Sequence, residues 1–126
     1  MQPFVYDQPA SRIVFGPGAV SKLPSEIQRL HRQRAIVLST SGQRKLAIDA
    51  AEKLGELGAG VFAEAVMHVP KDTVRAACEA VAKLHADCCV AIGGGSTIGL
   101  AKAIALETGL PVVALPTTLE IGRAHV

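Results

Sequence analysis

Val90-Ala-Ile-Gly-Gly-Gly-Ser-Thr-Ile-Gly-Leu-Ala-Lys102 decides how this chain is read. It begins inside a continuous apolar run, Cys88 to Ile92, of the kind that forms a strand covered on both faces. It ends in a helix-prone segment from Thr97 to Thr108 that is apolar on most sides, which predicts a deeply buried helix. Between them lie Gly93, Gly94, Gly95 and Ser96. A turn from strand to helix needs one glycine. Three in succession let the backbone bend sharply and approach a ligand with no Cβ in the way. The helix that follows aims its free N–H groups and the positive end of its dipole at the turn, and Ser96 adds a hydroxyl. This combination suits a pyrophosphate. It departs from the standard dinucleotide fingerprint: Gly93-x-Gly95-x-x-x-Gly99 is one residue too long and follows a late strand. No Asp or Glu closes the next strand to hold a ribose.

Outward from this stretch, strand-like and helix-like segments alternate. Upstream, Arg12-Ile-Val-Phe15 is a short β-prone run stopped by Gly16-Pro17-Gly18. Val20, Leu23, Ile27 and Leu30 then share a helix face, with Pro24 marking a start or kink. Ala35-Ile-Val-Leu38 is a buried strand, and Thr40-Ser-Gly-Gln43 has the pattern of a capping box, so a helix is expected to begin there. Leu46, Ala50, Leu54 and Leu57 form its stripe, Gly58 and Gly60 end it, and Val61-Phe-Ala63 is the next strand. Pro70-Lys-Asp72 opens another helix with Asp72 as N-cap, and Val74, Cys78, Val81 and Leu84 line its inner face. Downstream, Gly109 caps the helix after the glycines, Pro111 blocks its continuation, and Val112-Val-Ala-Leu115 is a last strand closed by Pro116-Thr-Thr118. Repeated strand–helix–strand units with short loops predict an α/β fold, a Rossmann-like doubly wound parallel sheet.

Composition agrees and excludes other classes. The 126 residues suffice for one domain, and with no Trp, one Tyr and three Phe the core must be Ala, Val, Ile and Leu, as in helices packed on a parallel sheet. A net charge of +2 with dispersed Lys and Arg argues against a nucleic-acid surface; the one cluster, His31-Arg32-Gln33-Arg34, reads as a solvated loop. The N-terminus lacks the basic start and apolar run of a secretory signal, and no apolar segment approaches the roughly 20 residues of a membrane helix. Cys78, Cys88 and Cys89 are odd in number, lack Cys-x-x-Cys spacing and sit in apolar segments, so they read as buried free thiols in a reducing compartment, the cytoplasm. His31, His68, His85 and His125 form no cluster with acids, so no metal site is expected within this chain. Two further strand ends carry hydroxyls: Ser39 and Thr40 after Leu38, and Thr117 and Thr118 after Pro116. Each alone is explained equally well by a turn or a cap.

Taken together, the segments resemble the iron-containing alcohol dehydrogenase superfamily, and within it the maleylacetate reductase family. The resemblance rests on Phe4-Val-Tyr6 with Arg12-Ile-Val-Phe-Gly-Pro-Gly18, Val37-Leu-Ser-Thr40 with Gly42-Gln43, Met67-His-Val-Pro70, Asp87 before Ile92-Gly-Gly-Gly-Ser96, Gly99-Leu-Ala-Lys102 and Pro116-Thr-Thr118. Many alcohol dehydrogenases of the superfamily carry Asp where Gly99 and Thr40 stand; the reductases resemble this chain at Gly99. Asp at position 40 would bond the ribose hydroxyls of NAD and repel the extra phosphate of NADP, and a neutral Thr40 removes that repulsion.

The resemblance implies the nucleotide-binding domain of the dehydroquinate synthase-like fold and hydride transfer from NADH or NADPH to maleylacetate, giving 3-oxoadipate, in aromatic and chloroaromatic breakdown. It puts Gly93, Gly94, Gly95 and Ser96 at the cofactor pyrophosphate, Thr117 and Thr118 near the nicotinamide, and Ser39 and Thr40 near the adenosine ribose. Iron or zinc ligands and most substrate contacts come, in the superfamily, from a following helical domain that is expected to be missing here, so catalytic residues stay unassigned. A small-molecule substrate and a homodimer of the full-length protein are expected, with no membrane or nucleic-acid partner. The alternatives are another iron-containing alcohol dehydrogenase, a glycerol dehydrogenase-like enzyme or dehydroquinate synthase-like lyase on the same fold, or a non-catalytic nucleotide-binding fragment. Residues 1–118 form the expected domain. Residues 119–126 are expected to be a non-native tail, because Ile121–Val126 can be encoded by ATC GGA AGA GCA CAC GTC, a common sequencing-library adapter.

Overall fold

The computed structural model describes residues 11–14 and 18–116. Five parallel strands form one sheet: β1 (Ser11–Ile13), β2 (Ala35–Leu38), β3 (Gly58–Phe62), β4 (Cys88–Ile92) and β5 (Val112–Leu115). Their order across the sheet is β1-β5-β4-β2-β3. Four helices connect them: α1 (Ala19–Arg29), α2 (Arg44–Leu54), α3 (Lys71–Leu84) and α4 (Gly95–Thr108). The β2, β4 and β5 spans are those expected from their unbroken apolar runs, and every residue in all three is buried.

Alternation along the strands divides the core into two layers. Val37, Val90, Ile92 and Val113 face α1 and α2, where Leu23, Ile27, Ala47, Ala50 and Leu54 complete one cluster. Ile36, Leu38, Cys89 and Ala91 face α3 and α4, where Ala77, Val81, Leu100, Ala101 and Ile104 complete the other. Helices therefore cover both faces, and the sheet is doubly wound. The chain steps outward from β2 to β3 and then returns to place β4 on the other side of β2. The helices leaving β2 and β4 consequently run to opposite faces. A crevice opens there, beyond the carboxyl ends of two neighbouring strands, where such sheets bind ligands.

Several local expectations are corrected. No α-helix begins at Thr40: a 3-10 turn, Ser41–Gln43, comes first, with no side-chain cap bond from Thr40, and α2 starts at Arg44. Its buried residues are Ala47, Ala50 and Leu54, while Leu46 is exposed. Gly58 and Gly60 do not end the helix. Gly55, at φ 58, makes that turn, and the two later glycines lie inside β3. A Cβ on Gly60 would sit 2.7 Å from Leu84 Cδ1, so this glycine lets α3 press against the strand. Pro70, not Asp72, is the N-cap of α3, and Asp72 lies in the first turn. Only Ala77 and Val81 of α3 are buried; Val74, Cys78 and Leu84 are half-buried. Pro24 lies within α1 rather than at its start. Helix α4 begins at Gly95, two residues early, and is buried on one face only, with Leu106 84% exposed. Strand β1 ends at Ile13; Phe15, Gly16 and Pro17 of the expected strand and stop, like Phe4–Tyr6 and the 119–126 tail, lie outside the described residues.

The basic cluster is more than a solvated loop. The Arg34 guanidinium donates through Nε and Nη2 to the Leu84 carbonyl at 3.0 and 2.7 Å, closing the C-terminus of α3. The Asp87 carboxylate accepts the N–H groups of Gln33 and Arg34. These bonds tie the starts of β2 and β4 together at the end opposite the crevice. Cys88 and Cys89 are buried free thiols, whereas Cys78 is half-buried. Burial pushes the Cys89 thiol up to about 12. Burial, reinforced by the Asp87 carboxylate, also raises Cys88.

Candidate functional site

Two loops build the crevice. The first leaves β2 at Ser39. The Ser39 N–H donates to the Phe62 carbonyl at 3.1 Å, and its own carbonyl accepts the Ala65 N–H at 3.0 Å. Its fully buried hydroxyl donates to the Thr40 carbonyl at 2.8 Å. Ser39 thus anchors the loop to β3 and holds Thr40, which is half-buried at the crevice. The Thr40 carbonyl accepts the Gln43 N–H, closing the 3-10 turn.

The second loop leaves β4 at Gly93. Gly93 has φ 134, a conformation that only glycine adopts without strain, and its N–H donates to the Leu115 carbonyl at 3.3 Å. That bond sets the end of β4 beside the end of β5, from which Pro116 leads to Thr117 and Thr118; both threonines lie outside the described residues. Gly94 is the N-cap of α4 and makes no side-chain cap bond, having no side chain. Its carbonyl accepts the Ile98 N–H at 3.0 Å, so the first helical bond begins there. The N–H groups of Gly95, Ser96 and Thr97 are left without intrahelical partners. No acidic residue stands in this first turn to offset the dipole.

Among the described residues, the space above these donors is open. A Cβ on Gly94 or on Gly95 would meet no heavy atom of the described residues within 4 Å. Beneath them, Thr97 is fully buried and its Oγ1 has no hydrogen-bond partner among the described residues. Unopposed main-chain donors, a half-buried Ser96, and a cradle that any Cβ would begin to fill form a donor set suited to a doubly anionic pyrophosphate. The residues present therefore fit the phosphate end of a dinucleotide.

The loop after β3 closes the same end of the sheet. His68 and Val69 have φ 68 and 41, and for a β-branched residue such as Val69 that conformation is strained. Val69 reaches α4, where a Cβ on Gly99 would lie 3.1 Å from Val69 Cγ2. Gly99 is thus accounted for by close packing of the loop against the helix. Among the described residues no group of three His, Cys, Asp or Glu side chains is placed to hold a metal ion.

The structure brings Gly93–Ser96 and Ser39–Thr40 to one crevice. Sequence reasoning passed over two residues there, Gln43 and Thr97. Gln43 was explained by the capping pattern and Thr97 by the start of an apolar helix. The only signal in the sequence was a polar residue just inside each element.

A doubly wound parallel sheet with an uncompensated helix N-terminus at its switch point defines the class, a Rossmann-like α/β domain. The chain belongs to the iron-containing alcohol dehydrogenase family, whose profile matches residues 10–123. It is 51% identical over 118 residues to the maleylacetate reductase of Rhizobium sp. (strain MTP-10005), covering 94% of this chain and 34% of that protein. It is 53% identical over 107 residues to maleylacetate reductase 2 of Cupriavidus pinatubonensis (strain JMP 134 / LMG 1197), covering 85% and 30% respectively. The crystal structure of maleylacetate reductase from Agrobacterium tumefaciens superposes with a TM-score of 0.82 at 50% identity, covering 94% of this chain and 34% of that one. The chain thus spans about one third of the length of the curated relatives it matches.

Proposed function

We propose that this chain supplies the NADH- or NADPH-binding part of a cytoplasmic, homodimeric enzyme that reduces maleylacetate to 3-oxoadipate in the breakdown of aromatic and chloroaromatic compounds. The substrate assignment is supported by identity of about one half to proteins named maleylacetate reductase. The cofactor assignment is carried by one observation: the open, dipole-uncompensated turn at Gly94 and Gly95, at the switch point of the sheet. No helix among the described residues is long and apolar enough to cross a membrane.

In this reading residues 1–118 belong to the cofactor domain. The bound nicotinamide supplies the hydride. This chain's residues bind and orient: the N–H groups of Gly95 and Ser96 and the Ser96 hydroxyl hold the pyrophosphate, and Gly93 and Gly94 give it room. Thr40 meets the adenosine ribose, with Ser39 behind it, and the resemblance assigns Thr117 and Thr118 to the nicotinamide end. The resemblance puts the catalytic and metal-binding side chains in the helical domain of the superfamily, so none is assigned here.

The test is calorimetric titration of the chain with NADH, NADPH, ADP and adenosine, alongside an assay for NADH oxidation with maleylacetate. Binding of the two dinucleotides and ADP is expected, with adenosine far weaker and no turnover by this chain alone. If ADP binds no better than adenosine, the phosphate role of the glycine turn is refuted.

A further inference from the structure

We propose that Thr97 is a positioning residue that latches the loop after β4 to the loop after β2, through Gln43, when the cofactor binds; this rests on the cofactor reading above. Thr97 is the third residue of α4, is fully buried, and leaves its Oγ1 without a partner among the described residues. A hydroxyl buried in that state destabilises the free protein, and Val, with nearly the same shape, would avoid the cost. Helix packing therefore does not account for the hydroxyl.

Its direction does. A Cβ built on Gly93 would lie 3.1 Å from Thr97 Oγ1 and 2.5 Å from Gln43 Oε1. The two oxygens converge on the α-carbon of Gly93, one from α4 and the other from the turn after β2. Both lie beside the position a Cβ of Gly93 would take. A carboxamide has two donor hydrogens and two acceptor lone pairs, so Gln43 can serve Thr97 in addition to its other contacts. The main-chain N–H of Thr97 is one of the three donors free at the start of α4, which links the hydroxyl to the ligand. A pyrophosphate drawing on that N–H acts on the residue that carries the hydroxyl. A small closure of the glycine turn would then bring Oγ1 to the Gln43 amide. The bond would join the pyrophosphate loop to the loop that carries Thr40 at the ribose.

The experiment compares the wild-type chain with Thr97→Val, Thr97→Ser, Gln43→Leu and the Thr97→Val/Gln43→Leu double variant. Each is melted without ligand and titrated with NADH by fluorescence. Thr97→Val is expected to melt at the wild-type temperature or above it, yet to bind NADH about three- to tenfold more weakly, the range of one hydrogen bond. Thr97→Ser, which keeps the hydroxyl, is expected to bind within about twofold of wild type by the same scale. The double variant should lose no more affinity than Gln43→Leu alone, because the two side chains act as one unit. A lower melting temperature for ligand-free Thr97→Val would show that the hydroxyl is already bonded in the free protein and overturn the latch. Wild-type affinity in Thr97→Val would overturn it too, leaving the cofactor reading intact. If the wild-type chain itself fails to bind NADH, the cofactor reading falls and takes the latch with it.

Discussion

Replacing Gly95 by Val separates binding from folding at this site. Gly95 is the first residue of α4 and is exposed, and a Cβ there would meet no heavy atom of the described residues within 4 Å. The fold should therefore tolerate Val, with a change in stability within about 0.5 kcal/mol, typical of unconstrained surface positions. The branched side chain would stand where the phosphate has to approach the free N–H groups. Charge-assisted hydrogen bonds contribute about 1.5–3 kcal/mol each, and loss of two amounts to about 3 kcal/mol, or roughly 100-fold in Kd. Gly93→Val makes the contrast two residues away. Its φ is 134, and the new Cβ would press to 2.5 Å from Gln43 Oε1 and 3.1 Å from Thr97 Oγ1. That backbone alone costs about 1–3 kcal/mol for a residue with a side chain, so this variant should lose stability first. Thermal melting followed by circular dichroism, with NADH titration of each variant, reads both quantities. A folded Gly95→Val chain that bound NADH like wild type would refute the placement of the pyrophosphate over α4.

Thr40→Asp should weaken NADPH binding about tenfold or more while sparing NADH, because a carboxylate would face the 2′-phosphate; unchanged relative affinities would remove position 40 from the ribose site. Alkaline pH should destabilise the domain through its buried thiols. The Cys89 thiol is raised in the folded state from the ordinary 9.0 to about 12, so the unfolded chain releases that proton first. Its contribution is intact below pH 9.0 and is lost as pH rises toward about 12. The slope is about 1.4 kcal/mol per pH unit for one thiol, and Cys88, raised in the same direction, adds to it. Urea unfolding of wild type and Cys89→Ala between pH 8 and pH 10 (about one unit either side of an ordinary thiol) should show a shallower decline for the variant, and parallel curves would contradict the buried-thiol account.

The legible parts of the chain were those where one physical requirement acts alone. Strands β2, β4 and β5 are enclosed by helices on both faces, so each reads as an unbroken apolar run with sharp ends. Errors arose where two requirements compete for one residue type. Gly58 and Gly60 resemble a helix stop, yet Gly60 is needed by Leu84 of α3, which is distant in sequence. Thr40-Ser-Gly-Gln43 has the spacing of a capping box, but the chain makes a 3-10 turn there and Thr40 is left at the crevice. The apolar sides of α4 predict deep burial, although a helix on the outer layer of a doubly wound sheet has one face to spare, and Leu106 occupies it.

Local pattern along the chain was enough for the class of fold, the strand–helix order and the loop that carries the candidate chemistry. Those properties depend on local periodicity and on the conformational freedom of glycine, both of which are written along the chain. Tertiary structure alone decided the strand order β1-β5-β4-β2-β3, which sets β2 beside β4 and joins the Thr40 loop to the glycine loop in one crevice. It alone decided that Arg34 closes α3, that Val69 presses on Gly99, and that Gln43 and Thr97 converge on Gly93. Each of these is a contact between segments far apart in sequence, and no periodicity records which strands become neighbours when the two apolar layers are buried.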